Sequence, residues 1–235
     1  MFSKSAELYD EIYLKLKDYE AEAQKISDLI TRENPSARTI LDVACGTGEH
    51  AQILRDQHGF EVDGIDLDEK FVSLAQQKNP KGHFIQADMI DFNLGKTYDT
   101  VVCLFSSIAY VKTLDRVTQA LNRFKTHVKE GGLILVEPWF SPGELTPGRI
   151  FLNTSESEDL SVVCMGYTQV KHRISTIHFE YLIGGHGKIE HEIERHELGL
   201  FTVDEMKGCF KDVGLEPTYE EEGLSGRGLY IARKR

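Results

Sequence analysis

Short apolar runs alternate with amphipathic segments between residues 39 and 137, and this alternation restricts the fold more than any other sequence feature. The apolar runs predict strands at 39–44, 61–65, 82–85, 98–104 and 133–137, and the segments between them predict helices at 48–57, 69–78 and 114–128. Such an alternation is typical of parallel strands joined by right-handed helical crossovers. The sequence therefore predicts an α/β fold.

The flanking regions have different patterns. Residues 1–34 are predicted to be helical, whereas residues 140–200 contain three β-like runs at 160–170, 174–183 and 188–200. The turn from Gly184 to Gly187 is expected to join the last two runs as a hairpin. A length of 235 residues suits one domain. We expect a single domain over 1–235, divided into a helical lid (1–34), a cofactor-binding core (35–139), an antiparallel insertion (140–200) and a C-terminal helix with final strands (201–235).

Composition argues against several classes of partner. The formal net charge is −11, with 38 acidic and 27 basic residues, which disfavours a nucleic-acid backbone as partner. No stretch approaches the roughly 20 apolar residues that cross a bilayer. The four cysteines are widely spaced and contain no Cys-x-x-Cys pair, which is typical of a reducing compartment. We expect a cytoplasmic protein with no membrane partner, and a homodimer is compatible with the sequence.

A glycine-rich segment, Leu41-Asp42-Val43-Ala44-Cys45-Gly46-Thr47-Gly48, follows the first predicted strand and opens a helix. Gly46 and Gly48 allow a tight turn and a close backbone approach to a ligand. Asp66 lies 18 residues after Gly48, at the end of the second strand, where a carboxylate accepts hydrogen bonds from ribose hydroxyls. A nicotinamide enzyme and a methyltransferase fit these two features about equally well.

Two further acids distinguish these alternatives. Asp42 lies inside the strand before the glycine turn, where it would orient the loop and face the amino or sulfonium group of a cationic cofactor, whereas a pyrophosphate would be repelled. Asp88 follows the third strand, where it would accept from an adenine amino group while Met89 covers the ring. A helix N-cap is the structural alternative for Asp88 alone. Together with Gly46, Gly48 and Asp66, these acids favour the methyltransferase.

Residues 39–138 resemble a class I S-adenosylmethionine-dependent methyltransferase. Nearly the whole chain is similar to the dTDP-amino-sugar N,N-dimethyltransferases of desosamine and mycaminose biosynthesis. Glu137-Pro138-Trp139 and Ser225-Gly226-Arg227-Gly228-Leu229 carry most of that likeness. Further similar stretches are Lys17-Asp18-Tyr19-x-Ala21-Glu22-Ala23, Phe105-Ser106-Ser107-Ile108, Val136, Thr146-Pro147-Gly148 and Leu200-Phe201-Thr202.

The resemblance implies a Rossmann-like fold with a seven-stranded, mainly parallel sheet, an N-terminal helical lid and an antiparallel insertion. It also implies S-adenosyl-L-methionine as cofactor and a small-molecule substrate, a dTDP-linked amino sugar that is N-methylated. The implied cofactor contacts are Tyr9 and Tyr19 from the lid, Ala44, Gly46, Asp66, Leu67, Asp88, Met89 and the backbone of Leu104. The implied substrate contacts are Tyr13, Trp139, Arg149 and Arg227, with the arginines suited to a diphosphate.

One residue departs from the sugar enzymes. Where they carry a histidine after Phe-Ser-Ser-Ile-Gly, this chain has Ala109-Tyr110, and a phenol is a poorer base than imidazole near neutral pH. We expect Tyr9 and Tyr110 to orient the acceptor amine, with water as the final proton acceptor. The departure leaves open another small amine or a hydroxyl as acceptor. A nicotinamide oxidoreductase or a cofactor-binding protein without catalysis stands as the alternative from another class.

Histidines His178, His186, His191 and His196 are the only residues that invite a metal hypothesis. The last three are spaced by five, which alternates strand faces, so they do not converge by sequence geometry. No metal site is expected.

Overall fold

The computed structural model describes residues 9–10, 14, 17–185 and 187–235. Two sheets organise these residues, and helices cover the larger one. In chain order the elements are α1 (Tyr19–Glu33), β1 (Thr39–Val43), α2 (Glu49–Asp56), β2 (Glu61–Asp66), α3 (Glu69–Lys78), β3 (Phe84–Gln86), β4 (Tyr98–Cys103), a 3₁₀ segment (Ser107–Val111), α4 (Leu114–His127), β5 (Val128–Val136), β6 (Ile150–Glu156), β7 (Leu160–Lys171), β8 (Ile174–Gly185), β9 (Lys188–Gly199), α5 (Val203–Asp212), β10 (Pro217–Glu220) and β11 (Leu229–Arg233).

Within the described residues the larger sheet has seven strands in the order β10-β11-β5-β4-β1-β2-β3. The strands β1 to β5 are parallel, and β11 joins β5 antiparallel. From β1 the chain builds outward through β2 and β3, then returns to place β4 on the other side of β1. Ligands bind open α/β sheets at such a reversal, outside the carboxyl ends of the strands. The predicted α/β fold class is confirmed.

Side chains at the helix starts explain where the helices begin. Asp18 accepts a hydrogen bond from the Ala21 amide at 2.9 Å and thereby caps α1. At α5, Thr202 and Glu205 form a reciprocal capping box. Each cap of this kind stabilises a helix by about 1 kcal/mol. The amphipathic α4 buries Val117, Leu121 and Phe124 against the sheet, which anchors it beside the strand ends.

The second sheet has the order β6-β7-β8-β9 and is antiparallel throughout. Only three of these strands were expected, and β6 corrects that prediction. Its sequence, IFLNTSE, alternates weakly, and Ile150 and Leu152 are both 58% exposed. An edge strand with little burial has no clear period-two pattern, so its pairing with β7 comes from tertiary context.

The predicted bounds of β5 were also wrong at one end. The strand begins at Val128 rather than at residue 133, and it contains an irregularity at Gly131, whose φ is +77°. A register shift between Tyr98 and Thr100 of β4 accommodates the irregularity. Because glycines usually indicate a turn, the sequence pattern predicts a strand that is too short at its start.

Some expectations fall on parts of the chain outside the described residues. The helical lid is seen as α1 and at residues 9, 10 and 14, whereas residues 1–8, 11–13 and 15–16 lie outside the description, as does His186 of the predicted hairpin turn. The division of the domain into four segments stays a prediction. Over the described ranges, no helix combines the length and apolarity needed to span a membrane.

Candidate active site

A cavity of about 720 Å³ opens where the parallel strands end. Its lining includes Ala44 and Gly46 after β1, Asp66 at the end of β2, Asp88 after β3 and Phe105 after β4. Because parallel strands end at one edge, residues far apart in sequence meet here. The other predicted site residues that line it are Tyr9, Leu67, Met89, Tyr110, Trp139 and Arg227.

Asp66 organises the glycine loop. Its Oδ2 accepts a hydrogen bond from the Gly46 amide at 2.9 Å, and its Oδ1 accepts from the Asp68 amide at the same distance. Burial raises the pKa of the Asp66 carboxyl, although these amides oppose the shift. Gly46 has φ +56°, and an added Cβ would meet no atom within 4 Å. The loop therefore leaves open space in front of its backbone, with a carboxylate beside it.

Asp42 lies beneath this loop rather than in the cavity lining. It is 2% exposed, and burial together with the neighbouring Asp66 carboxylate raises the pKa of Asp42 to about 7, while Lys17 acts in the opposite direction. A carboxyl in this state ionises readily when a cation comes close. Its predicted role beside a cationic cofactor remains a prediction, now with a physical basis.

Gly48 has a packing role. Its φ is +78°, and a Cβ there would lie 2.7 Å from Asn79 Nδ2 and 2.9 Å from the Ala75 Cβ. The Asn79 amide donates to the Gly48 carbonyl at 3.1 Å, so α2 and α3 meet closely at this glycine. The glycine is required for the helix contact, and it does not line the cavity.

Three more predicted contacts are absent from the described cavity lining. The Tyr19 ring is 8% exposed and packs edge-on against His50 with centroids 4.8 Å apart. Leu104 is buried, and its carbonyl accepts from the Ser107 amide at 3.1 Å. Arg149 is exposed at the start of the insertion. Tyr13, the remaining predicted substrate contact, lies outside the described residues.

Asp88 lies at a turn rather than at a helix start, because the described residues between β3 and β4 contain no helix. Its Oδ1 accepts from the Ile90 amide at 3.2 Å within that turn, and its Oδ2 lies 3.7 Å from Arg116. The side chain still lines the cavity beside Met89. The turn orients the carboxylate, and the cavity exposes it to a ligand.

The other end of the cavity is aromatic and basic. The Arg227 guanidinium lies over the Phe105 ring at 5.1 Å and the Trp139 ring at 5.7 Å. The indole Nε1 of Trp139 donates to Ser175 Oγ at 2.9 Å, which ties it to β8. The buried Arg227 Nε has no hydrogen-bond partner among the described residues. An unpartnered guanidinium N–H beside an aromatic platform fits an anionic ligand with a planar ring.

Glu137 holds Arg227 in this position. This carboxylate is fully buried after β5 and accepts hydrogen bonds from the Phe105 amide and the Ser225 hydroxyl, both at 2.5 Å. The Arg227 Nη2 donates to it at 3.4 Å. Three distant segments of the chain therefore meet at one buried acid, which explains why the Glu137-Pro138-Trp139 and Ser225–Leu229 motifs occur together.

His196 is a site residue that the sequence analysis missed. The Tyr110 hydroxyl lies 2.9 Å from His196 Nδ1, and His196 Nε2 lies 3.4 Å from Glu194 Oε2. Both β9 side chains are buried, at 3% and 8% exposure. A Glu-x-His pair on a strand shares one face, and that signal was present in the sequence. The spacing of five, by contrast, bears only on a metal site.

The described histidines of the second sheet do not converge. His178 contacts Gln169, His191 contacts Glu180 at 2.6 Å, and His196 contacts Tyr110. No group of three or more His, Cys, Asp or Glu side chains suited to a metal ion occurs within the described part of the chain.

Charge is divided along the cavity. The strand-end part carries the carboxylates of Asp66, Asp68 and Asp88, with Arg116 3.7 Å from Asp88. Arg227 lies at the aromatic end, and Arg195 lies with the Lys112–Glu197 ion pair near the second sheet. One cationic and one anionic ligand, bound side by side, would match this distribution of charge. The site therefore suits a positively charged cofactor and a negatively charged substrate.

Comparisons with known proteins agree with this geometry. Residues 40–132 match the family described as a methyltransferase domain. The dTDP-3-amino-3,6-dideoxy-alpha-D-glucopyranose N,N-dimethyltransferase of Streptomyces fradiae is 37% identical over 96% of this chain and 89% of its own length.

Two solved structures extend the match to the fold. The structure of DesVI from Streptomyces venezuelae superposes with a TM-score of 0.93 at 32% identity, covering 99% of each chain. S-adenosylmethionine-bound CalS10, an amino pentose methyltransferase from Micromonospora echinaspora, superposes with a TM-score of 0.87 at 28% identity, covering 100% of this chain and 98% of the other. The chain thus belongs to the S-adenosylmethionine-dependent methyltransferases, in the group that includes the dTDP-amino-sugar N,N-dimethyltransferases.

Proposed function

We propose that this protein transfers methyl groups from S-adenosylmethionine to the amino group of a dTDP-linked amino sugar. The observation that carries the proposal is one continuous cavity with an acidic end at Asp66 and Asp88 and an aromatic, basic end at Trp139 and Arg227. Relatives named for dTDP-3-amino and dTDP-4-amino sugars support the same substrate class. Family membership excludes the nicotinamide alternative and the protein without catalysis.

The chain's own residues would hold the cofactor at the strand ends. Asp66 would accept from the ribose hydroxyls while keeping the Gly46 loop in place, and Asp88 with Met89 would receive the adenine. The open space before Gly46 would admit the amino-acid end, near the buried Asp42. S-adenosylmethionine supplies a methyl group already activated on a sulfonium.

Residues at the aromatic, basic end of the cavity would bind and align the acceptor. The Arg227 guanidinium is suited to a diphosphate oxygen through its unpartnered Nε–H, and the Trp139 indole to the face of a base or sugar. Tyr9, packed on Phe71 at 5.2 Å, and Tyr110 would orient the amine. Positioning two reactants and excluding water contributes roughly 7–11 kcal/mol in favourable cases.

A transfer assay with labelled S-adenosylmethionine tests this function. The acceptor panel contains a dTDP-3-amino sugar, a dTDP-4-amino sugar and the matching dTDP sugar with hydroxyls only. Mass spectrometry is expected to show one and then two methyl groups on an amino sugar and none on the hydroxyl compound. Transfer to the hydroxyl compound alone would support the alternative acceptor that Tyr110 leaves open. No transfer to any member would refute the substrate class.

We further propose a homodimer that uses the outer face of the second sheet. This face exposes apolar side chains, and its cross-strand pairs Leu152–Met165 and Val163–Leu182 place them together. Apolar patches of this kind mark interaction surfaces, and a two-fold dimer needs only one self-complementary patch. The exposed members are Ile150, Leu152, Val163, Met165, Leu182, Ile189 and Ile193. Light scattering of Leu152→Glu is expected to show a monomer, and a monomeric wild type would refute the dimer.

We also propose that the protein acts in the cytoplasm. All four cysteines are free and buried. Free thiols are typical of a reducing compartment. Cell fractionation would test this location.

A further inference from the structure

The Tyr110 phenol, which stands where the sugar enzymes carry a histidine, is backed by a buried histidine and a buried carboxylate. Tyr110 lines the cavity and is 40% exposed. Beside it, His196 also lines the cavity, is 3% exposed and contacts Glu194 on the same strand. The chain of contacts therefore runs from the cavity into the interior of the second sheet.

We propose that Tyr110, His196 and Glu194 form a proton relay that accepts the proton of the substrate amine. The proposal rests on the proposed N-methylation and adds the route of the proton. Tyr110 is the catalytic member because it faces the substrate. His196 and Glu194 act through it as positioning residues.

The hydrogen-bond geometry assigns the direction of transfer. When Tyr110 Oη–H donates to His196 Nδ1 at 2.9 Å, the neutral imidazole carries its proton on Nε2, which points to Glu194 Oε2 at 3.4 Å. Ring contacts from Phe179 at 5.4 Å and Tyr110 at 6.0 Å, both edge-on, hold the imidazole plane. The nearby carboxylate stabilises the imidazolium that forms when Nδ1 accepts a second proton.

The step balances as follows. The ammonium group of the acceptor gives a proton to Tyr110 Oη while Oη passes its own proton to His196 Nδ1, which leaves an amine with a free lone pair. That lone pair forms the new carbon–nitrogen bond as the carbon–sulfur bond breaks and the thioether leaves. After product release, the proton returns from His196 through Tyr110 to water. A second methylation repeats the same sequence.

The relay has a defined electrostatic neighbourhood. The charged and titratable groups facing His196 are Tyr110 from the 3₁₀ segment and Glu194 from β9. The cavity lining beside it adds Arg195 and the Lys112–Glu197 ion pair, whose atoms lie 2.5 Å apart. Of these groups, Tyr110 Oη lies 2.9 Å from the imidazole Nδ1 and Glu194 Oε2 lies 3.4 Å from Nε2.

Steady-state kinetics with a dTDP-amino sugar test the relay. Tyr110→Phe and His196→Asn are each expected to lower kcat by about 10–100-fold while KM changes by less than about threefold. The double variant is expected to be no slower than the slower single one, because both changes break the same route. Calorimetry with S-adenosylhomocysteine is expected to give wild-type affinity for all three.

The split between kcat and KM provides a readout that a purely structural contact would not give. Glu194→Gln keeps the size of the side chain and removes its charge, so it is expected to lower kcat with KM unchanged. A contact that only places Tyr110 in the cavity would change KM as well.

Matched controls lie on the same sheet. Tyr167 stacks on His178 at 4.7 Å, and His191 pairs with Glu180, so Tyr167→Phe and His191→Asn repeat the two changes away from the cavity. Both are expected to retain kcat within about twofold. The relay would be overturned, and the proposed function left standing, if His196→Asn kept the wild-type kcat. The same would follow if the two single effects multiplied in the double variant. A wild type that methylates no amino sugar would overturn the proposed function together with the relay.

Discussion

The two ends of the cavity are built on different physical principles. At the strand ends of the parallel sheet, backbone amides hold the functional acids, as when Gly46 and Asp68 donate to Asp66. At the second sheet, side chains hold one another across long sequence separations, as when Tyr110 meets His196, 86 residues away. The first arrangement follows from local sequence, whereas the second depends on how the insertion folds back over the sheet.

This comparison has a chemical counterpart. Under the proposed function, the strand-end part would receive a cofactor that is common to a large family, and its geometry would be tied to the shared scaffold. The second sheet would lie on the acceptor side, where enzymes of one family differ. The Tyr110 hydroxyl lies 2.9 Å from His196, so the proposed relay would place its base on a strand of the second sheet.

The largest effect is expected at Asp66. In Asp66→Ala both backbone amides lose their acceptor and the predicted ribose contact is lost, so S-adenosylhomocysteine affinity is expected to fall by more than about 100-fold in calorimetry. Asp91→Ala, an exposed acid just after Asp88, is the control and is expected to bind normally. If the Asp66 variant bound S-adenosylhomocysteine with undiminished affinity, the proposed difference between the two ends of the cavity would be wrong. The strand end would then not depend on this carboxylate.

The buried Asp42 is expected to make stability depend on pH. Its folded-state pKa of about 7 lies above the ordinary value of 3.8, so its contribution is complete below the ordinary value and is lost as the pH rises toward 7. Over this range the free energy of unfolding is expected to fall by up to about 4 kcal/mol from this group. Asp42→Asn is expected to flatten the dependence in urea titrations.

Cofactor binding offers a second test of Asp42. A cationic ligand favours the carboxylate, so binding near pH 7 is expected to release a proton from the wild type. Calorimetry in buffers of different ionisation enthalpy measures this release. The same release in Asp42→Asn would place the titrating group elsewhere.

At the aromatic end, Arg227→Lys is expected to raise KM for the nucleotide sugar by about 10–100-fold, because lysine retains the charge but lacks the guanidinium fork. Affinity for S-adenosylhomocysteine is expected to stay unchanged. Arg149→Ala is expected to leave KM unchanged, since Arg149 is exposed and outside the cavity. A raised KM in Arg149→Ala would favour the contact implied by the family resemblance.

The smallest effect is expected at Ser175, which is fully buried and holds Trp139 to β8. Ser175→Ala removes one hydrogen bond, a change of about 1 kcal/mol, and is expected to raise KM for the sugar nucleotide about fivefold. Ser161→Ala on β7 is the exposed control. An unchanged KM would show that Trp139 is placed by the parallel sheet alone.

The sequence pattern located most residues at the strand ends, but it did not show what surrounds several of them. Gly46, Asp66 and Asp88 line the cavity as expected. Gly48 serves helix packing and Asp42 is buried beneath the loop, because a glycine motif does not reveal which glycine faces a ligand. Strand β6 was missed since its exposed residues have little periodicity.

By itself, the sequence determined the succession of strands and helices along residues 39–137 and the acids at the carboxyl ends of those strands. Hydrophobic periodicity and strand-end position are local properties, and parallel pairing brings strand ends together in any such sheet. Tertiary structure alone decided that Tyr110 contacts His196 and that Arg227 reaches Glu137 and Trp139. These contacts join segments about 90 residues apart, and their formation depends on packing that no local pattern encodes.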